Sequence, residues 1–412
     1  MSKRKKPVFL PAEKKSIFSL SAILFTRMLG LFLILPVFSL LAHEGLTGAT
    51  PFLVGVAMGG YGLTSAIFQI PFGFWSDRFG RKPILVIGIL LFMAGSVLAA
   101  LSTSIEMMIV ARLLQGSGAV SAPIFALIAD LTRDEVRARA NAMLGMGVGM
   151  AFGLAMFLGP FLGSKVGLSG LFWVISGMAT FSLLVLLLIV PTPTEHVISK
   201  EPLKKQLSEV LKVTPLLTID LGAFVTSMGL SITFFMTPFV LKSWGLPKED
   251  WWQIYIPMLF SGALTMIPCA ILAEVKNKFR EVMVFGVVGM GISFSILLYS
   301  WGGDNLTLKL TAAFIFFMSF NIFEPIFPSL VTRMSTKETK GTASGVYNFS
   351  QFAGQFAGAI LAGSYFYNPT PVLPIFMLVM IAFFLSRALA FENPTPRKKE
   401  VEEAEEVVVA GA

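Results

Sequence analysis

GFWSDRFGRKP, from Gly73 to Pro83, is a short charged segment between two apolar runs. The run upstream reads TSAIFQIPF, and the run downstream reads ILVIGILLF. Four of the six residues from Asp77 to Lys82 are charged. A short basic turn between two apolar helices is typical of the cytoplasmic face of a membrane. The segment therefore predicts two membrane helices that meet at a cytoplasmic hinge.

The composition of the whole chain indicates a polytopic membrane protein. Of its 412 residues, 55% are apolar and only 14% are charged, and the mean hydropathy is +0.77. Soluble proteins carry about 25% charged residues. Apolar runs of about 20 residues, enough to cross a hydrocarbon core roughly 30 Å thick, recur along the chain.

Hydropathy predicts twelve spans, and the distribution of Lys and Arg orients them. The predicted spans are 17–42, 50–72, 83–104, 106–131, 140–163, 168–190, 215–242, 252–273, 282–302, 308–332, 342–366 and 371–391. Of the 32 Lys and Arg, 25 lie in the two tails and the even-numbered loops, and four lie in the odd-numbered loops. This asymmetry places both termini in the cytoplasm. It also accounts for the net charge of +8 without a nucleic-acid partner.

The chain is predicted to consist of two similar halves joined by a charged loop. Ile70-Pro71 and Asp77 recur as Ile267-Pro268 and Glu274, at the same offset of 197 residues. Parallel repeats of this kind are typical of transporters that rock one bundle against the other. We therefore expect an all-α membrane protein with two pseudo-symmetric bundles of six helices. The predicted regions are a cytoplasmic tail (1–16), the N-terminal bundle (17–190), a cytoplasmic linker (191–214), the C-terminal bundle (215–392) and a cytoplasmic tail (393–412).

Three motifs make the chain resemble the major facilitator superfamily. The first motif, G-x-x-x-D-R-x-G-R-K, is complete at Gly73, Asp77, Arg78, Gly80, Arg81 and Lys82. The second, R-x-x-Q-G, is complete at Arg112, Gln115 and Gly116. The third is met by Gly153, Gly159, Pro160 and Gly163, with Ser164 where the motif ends in glycine. The chain is most similar to the twelve-span drug:proton antiporters, and among them to the YajR-type subgroup of efflux transporters, without that subgroup's C-terminal soluble domain.

The resemblance implies that the hinge works as a gate. Asp77, Arg81 and Asp130 would form a polar cluster that latches the halves on the cytoplasmic side in the outward-facing state. The alternative is that these charges only anchor the topology. Gly80 would permit a tight turn, and Gly73 would let another helix approach closely.

Three ionisable residues inside the spans are candidates for proton coupling. A charged side chain within a membrane helix is costly and marks function by default. Glu324 is the only carboxylate well inside a span, because Asp220 lies near the start of the seventh span and can reach the surface. For Arg112 and Arg27, the resemblance implies a part in proton coupling. The alternatives are a static salt bridge for Glu324 and hydrogen bonds to backbone carbonyls for Arg112.

Polar residues at helical spacing predict the lining of a water-filled cavity. The candidates are Tyr61, Gln69, Gln115, Asn321, Asn348, Gln351 and Gln355. The alternative is hydrogen bonding between helices. Gly145, Gly149 and Gly153, at four-residue steps, predict a close-packing face between the halves.

The sequence predicts a secondary active transporter that exports small amphipathic or drug-like compounds by proton-coupled antiport. A sugar or metabolite permease of the same fold and a non-transporting membrane receptor are the alternatives. No enzyme is expected, since no catalytic constellation is visible. No metal site and no cofactor beyond the proton gradient are expected either. The expected partners are a small-molecule substrate, protons and the lipid bilayer, and the protein is expected to be a multi-pass monomer in the inner membrane.

Overall fold

The computed structural model describes residues 9–118, 120–191, 203–303, 305–336, 339–366, 368 and 370–394. The regular elements within these ranges are helices, and the one β-bridge among them, between Thr47 and Ser104, is isolated. The helices are α1 (Pro11–Leu33), α2 (Phe38–Gly45), α3 (Pro51–Phe79), α4 (Arg81–Ala100), α5 (Ile105–Ser117), α6 (Ser121–Asp130), α7 (Asp134–Leu188), α8 (Leu203–Val210), α9 (Thr214–Ser243), a 3-10 turn (Lys248–Asp250), α10 (Trp252–Lys276), α11 (Phe279–Tyr299), α12 (Leu306–Met334), α13 (Lys340–Tyr365) and α14 (Val372–Leu389).

Long apolar helices of the described chain coincide with most of the predicted spans, but none is found over the fourth (106–131) or the eleventh (342–366). Nine helical segments of the described chain are long and apolar enough to cross a membrane. One of them lies in α7, whose 55 residues contain the predicted span 140–163 and nearly all of the predicted span 168–190. At Gly167 the backbone leaves the helical region, with φ +65°. Glycine adopts a positive φ without a steric penalty, so a single residue divides α7 into two parts.

Two predicted spans are each broken into two helices. The first span bends at residues 34–37, between α1 and α2, and the fourth span is interrupted between α5 and α6. Pro123 lies in the first turn of α6, where its missing N–H costs nothing. The fourth predicted span, 106–131, therefore consists of two helices, because proline favours a new helix start at this point.

The chain packs into two compact units. Of the described residues, unit one holds those within 1–201, 226–257 and 348–373, and unit two holds those within 202–225, 258–347 and 374–412. Segments of α9, α10 and α13 therefore pack with the helices of the first half in unit one.

Aliphatic side chains and glycines build the core of unit one. Leu20, Leu24, Ile128 and Leu144 are fully buried in a cluster shared by α1, α6 and α7. Between α3 and α13 the backbones nearly touch, since a Cβ at Gly55 would lie 2.3 Å from the carbonyl oxygen of Ala359. Small residues allow such close approach between membrane helices.

Aromatic rings fill the core of unit two. The rings of Phe323 and Phe327 stack with their centroids 4.8 Å apart, and Phe384 of α14 packs against both. Gly222 of α9 leaves space for these rings, because a Cβ there would lie 2.6 Å from Phe327 and from Phe384.

Candidate functional site

The hinge after α3 is held by Arg81. Its Nε donates to Oδ2 of Asp130 over 3.2 Å, and its Nη1 donates to the Ser76 hydroxyl over 2.8 Å. Gly80, with φ +94°, makes the turn that places Arg81 at the start of α4. Arg81 thereby connects the ends of α3 and α6, which are far apart in sequence. The side chain of Asp77 lies outside the described part of the structure.

The remaining residues of the hinge motif have separate surroundings. Lys82 Nζ donates to the carbonyl oxygen of Val190 over 2.8 Å, just beyond the C-terminus of α7. Cations are favoured at this end of a helix. Arg78 is exposed and lies 5.6 Å from the ring of Phe79. A Cβ at Gly73 would meet no described atom within 4 Å, so the close helix approach expected there is absent from the described chain.

The third motif packs α7 against the bent first span. A Cβ at Gly159 would lie 2.4 Å from the carbonyl oxygen of Leu33, and one at Gly163 would lie 3.4 Å from Val37. Pro160 between them is buried, and Gly153 is half-buried. These residues permit close contact with the turn between α1 and α2.

The other glycines of that helix do not make the predicted contact. Gly145 and Gly149 are exposed, and a Cβ at either position would meet no described atom within 4 Å. The predicted close-packing face is therefore wrong for these two positions. Spacing alone identifies a smooth helix surface, but it does not reveal whether another helix covers that surface.

Arg112 of α5 is buried among neutral groups. Only 2% of the residue is exposed. Its Nη1 donates to Oε1 of Gln115, and Gln115 in turn donates to the Ser96 hydroxyl over 2.9 Å. The guanidinium carbon lies 4.9 Å from the ring centroid of Tyr61 and 5.7 Å from that of Phe38. These ring distances are within the range of cation–π attraction.

Arg27 of α1 enters the break between α5 and α6. Its Nη2 donates to the carbonyl oxygen of Gly118 over 2.5 Å, and its Nη1 donates to the Ser121 hydroxyl over 3.1 Å. A helix end leaves carbonyl groups without intrahelical partners, and Arg27 satisfies one of them. The ring centroid of Phe92 lies 5.6 Å from its guanidinium carbon.

The two arginines belong to one network, which we call the arginine cluster. It consists of Arg27, Phe92, Ser96, Arg112, Gln115 and Gly118. Ser96 donates to the carbonyl oxygen of Phe92, one turn earlier in α4. This hydrogen bond links the contacts of Arg112, made through Gln115 and Ser96, to the ring of Phe92 beside Arg27. Neither arginine has an ion pair with a carboxylate among the described side chains, and the Nε atom of each is buried without a hydrogen-bond partner.

Two carboxylates of unit two lie within predicted spans, Glu324 of α12 and Asp220 of α9. Glu324 lies on an accessible face of α12 and makes no ion pair or hydrogen bond with a described residue. Asp220 of α9 is buried, and its Oδ2 has no partner among the described residues. The prediction that Asp220 reaches the membrane surface is therefore wrong.

The predicted cavity residues have mixed environments. Tyr61 and Gln69 of α3 are buried, and Nε2 of Gln69 has no partner in the described chain. Asn321 donates to the carbonyl oxygen of Phe317 over 2.8 Å and lies beside Gly262 of α10. Asn348, Gln351 and Gln355 are half-buried along α13. A role in lining a cavity stays a prediction for these residues.

The second half has an ion pair of its own near the repeated hinge. Glu274, which corresponds to Asp77 in the repeat, accepts hydrogen bonds from Arg333 and Ser329 of α12. The guanidinium of Arg333 also lies 5.0 Å from the ring centroid of Phe279. Both repeated hinges are thus close to a pair of opposite charges, although the pairs join different helices.

A contact at the other end of unit one was not predicted. Glu44, just beyond the first predicted span, accepts from Lys242 Nζ over 2.5 Å and from Lys248 Nζ over 2.8 Å. Partial burial of Glu44 opposes ionisation, but the hydrogen bonds from the two lysines outweigh it and hold the pKa of Glu44 below its ordinary value of 4.5. Lys242 and Lys248 are two of the four cations in the odd-numbered loops, and their rarity there is the sequence signal that could have identified this contact.

Comparisons with known proteins agree on one family. The model of the Major Facilitator Superfamily matches residues 20–359. The chain is 40% identical over 356 residues to the inner membrane transport protein YajR of Escherichia coli K12, covering 86% of this chain and 78% of YajR. It is 34% identical to multidrug resistance protein 1 of Bacillus subtilis 168, over 26% of this chain and 28% of that protein. Among solved structures, a D-xylose-proton symporter superposes with a TM-score of 0.73 at 15% identity, over 92% of this chain and 98% of the symporter.

Proposed function

The chain belongs to the major facilitator superfamily and is a secondary transporter of that family, and we propose that it exports small amphipathic compounds in exchange for protons. Proteins of this family are membrane transporters and not enzymes, as the sequence predicts. The similarity of the chain to a multidrug resistance protein supports amphipathic, drug-like cargo. The proposed location is the inner membrane, with both termini in the cytoplasm, because Lys and Arg are concentrated in the tails and even-numbered loops.

The environment of Glu324 carries the proposal of proton coupling. The residue lies in the middle of α12, and it has no cation as an ion-pair partner among the described residues. Carboxylates inside membrane helices commonly form proton relays in transporters. An ion-paired carboxylate would hold its charge, whereas Glu324 is free to take up and release a proton as access alternates. The family resemblance supports a part in proton coupling for Arg112 and Arg27 as well, which are both buried in unit one.

The hinge motif provides the proposed gate. Arg81 and Asp130 are in contact, and Asp77 precedes them at the end of α3. We infer that these three residues stabilise the outward-facing state on the cytoplasmic side, with Gly80 setting the turn.

Proteoliposomes test this function with a panel of amphipathic cations, neutral drugs, sugars and polyols, each with and without an imposed pH gradient. We expect gradient-driven movement of amphipathic compounds. Glu324→Gln should abolish the response to the gradient and spare exchange without a gradient, while Glu209→Gln, the same change on the exposed face of α8, should behave as wild type. Gradient-driven transport that persists in Glu324→Gln would exclude this carboxylate, and movement of sugars alone would exclude drug export.

A further inference from the structure

We propose that the arginine cluster binds an anionic group of the transported compound, so that the cargo includes aromatic carboxylates and similar organic anions. The inference rests on the proposed transport function and adds a cargo class to it. Arg27 and Arg112 are assigned the role of direct ligands for the anion.

The charge balance of the cluster is the first argument. A guanidinium remains protonated in proteins, so the cluster brings two positive charges into the membrane-embedded part of unit one. Removing an ion from water costs several kcal/mol unless an opposite charge repays it. The described carboxylates of unit one lie at helix ends and in loops, as Glu13, Glu44 and Asp130 do. The neutral oxygens around Arg27 and Arg112 supply only part of the compensation, and an anionic ligand would supply the rest.

The unused donors of the two arginines are the second argument. Arg112 donates to one neutral amide oxygen, and its Nε is buried without a partner in the described chain. The same holds for the Nε of Arg27. A guanidinium presents N–H groups in a planar fork that matches the two oxygens of a carboxylate, phosphate or sulfonate. A buried donor without a hydrogen-bond partner carries a desolvation penalty. Binding of a ligand that accepts hydrogen bonds from these donors would remove that penalty.

The aromatic rings beside the cations indicate the rest of the ligand. Phe38 and Tyr61 flank Arg112, and Phe92 lies beside Arg27. These rings offer apolar faces next to the charged donors. An organic anion with an aromatic body could bind both the guanidinium groups and the aromatic rings, whereas a small inorganic anion would bind only the guanidinium groups.

The contact between α3 and α13 explains how the site is closed in this structure. Tyr61 covers Arg112, and its ring centroid lies 6.3 Å from that of Phe352 on α13. A Cβ at Gly62 would lie 2.9 Å from the carbonyl oxygen of Phe352, so the two helices are in direct contact there. Separation of α13 from α3 would therefore uncover Tyr61 and admit a ligand to Arg112.

Three dansyl compounds that differ in charge test the proposal. They are dansyl-phenylalanine, which carries a carboxylate, its neutral amide, and the cation dansylcadaverine. Binding to the protein in nanodiscs is measured by energy transfer from tryptophan, with empty nanodiscs subtracted. We expect the carboxylate to bind at least about tenfold more tightly than the amide, since a hydrogen-bonded charge contributes this much. Arg112→Gln and Arg27→Gln should remove the preference, Arg112→Lys should retain part of it, and Arg387→Gln in α14 should leave it intact.

The outcomes separate the site from the transport function. Equal binding of the carboxylate and the amide by the wild-type protein would overturn the site, and so would a preference that survives in folded Arg112→Gln and Arg27→Gln. If those variants do not fold, two measurements still test the site. They are the ratio of the wild-type affinities for the carboxylate and the amide, and the same ratio in Arg112→Lys. Gradient-driven transport of dansylcadaverine without any preference for the carboxylate would leave proton-coupled export standing and remove the anion site. A preference for the carboxylate without gradient-driven transport of any probe would support the anion site and contradict proton-coupled export.

Discussion

The carboxylate of Glu44 lies 2.8 Å from the ammonium nitrogen of Lys248, and Lys242 approaches its other oxygen to 2.5 Å. Nearby, the Tyr255 hydroxyl donates to the carbonyl oxygen of Pro36 over 3.0 Å. Glu44 and Pro36 belong to the first half of the sequence, and their partners belong to the second half. We call the contact of Glu44 with the two lysines the Glu44 clasp. It joins the halves at the end of unit one opposite the hinge, and we propose that it acts there as a second gate in alternating access.

Glu44→Gln should weaken this gate. An ion pair near the surface contributes about 0.2–1 kcal/mol, so loss of both contacts should raise the population of open molecules a few-fold. Spin labels at Gly45 and Ser243, both exposed, report the opening by double electron–electron resonance in a Cys269→Ser background. Glu249→Gln, in the neighbouring 3-10 turn, is the matched control. An unchanged distance distribution in Glu44→Gln would show that the clasp does not hold the gate.

The pH dependence of the same measurement follows from the lowered pKa of Glu44. A carboxyl whose pKa is lowered by folding stabilises the folded contact above its unfolded pKa, and that stabilisation is lost as the pH falls through the lowered value. Opening of the wild-type protein should therefore increase as the pH is lowered from neutral to below the ordinary value of 4.5. In Glu44→Gln, opening should increase less as the pH falls. An equal increase in both proteins would show that other groups cause the pH dependence.

Gly358→Ala should destabilise the packing of α13 on α9. The new Cβ would lie 2.2 Å from the carbonyl oxygen of Met228, and backbone atoms cannot yield without moving a helix. Overpacking of this kind costs about 1–3 kcal/mol. Gly177→Ala is the matched control, because this glycine of α7 is exposed and its Cβ would meet no described atom within 4 Å. There alanine should be neutral or stabilising by up to about 1 kcal/mol. Thermal unfolding in one detergent compares the two, and equal shifts would refute the packing argument.

The parts of the fold that depend on local sequence could be predicted. Hydropathy located most of the long apolar helices, and charge located the hinge, where Gly80 and Arg81 have the expected turn and contact. The break in the fourth span was missed, although Gly116-Ser117-Gly118 interrupts the apolar run and Pro123 favours a new helix start. The bond from Arg27 to Gly118 joins residues 91 positions apart, which no local pattern reports.

Side-chain direction within a span was the least predictable property. Asp220 lies in the second turn of α9, close enough to a helix end to reach the surface, yet it is buried. Gly145 and Gly149 have the spacing of a packing face, yet they are exposed. In both cases the rotation of the helix against its neighbours decides the environment. That rotation depends on contacts made by the whole unit, so the spacing of residues within one helix does not predict it.

The pair formed by Arg81 and Asp130 should contribute to stability, and a double-mutant cycle measures that contribution. Both side chains are partly buried, with 13% and 24% of each exposed. Arg81→Gln, Asp130→Asn and the double variant should give a coupling energy of about 1 kcal/mol in thermal unfolding. The Ser76 hydroxyl can accept a hydrogen bond from the amide that Arg81→Gln introduces, so the fold should survive each change. A coupling energy near zero would mean that the contact only orients Arg81.

Asp77→Asn tests the proposed gate separately from the stability of the hinge. Asp77 lies in the last turn of α3, and Arg81 and Lys82 begin α4 directly after the turn at Gly80. Removing the negative charge should weaken the latch without removing the contact of Arg81 with Asp130. We therefore expect fewer outward-facing molecules by double electron–electron resonance, with little change in unfolding temperature. An unchanged population in Asp77→Asn would exclude the latch, even if the double-mutant cycle shows that Arg81 and Asp130 stabilise each other.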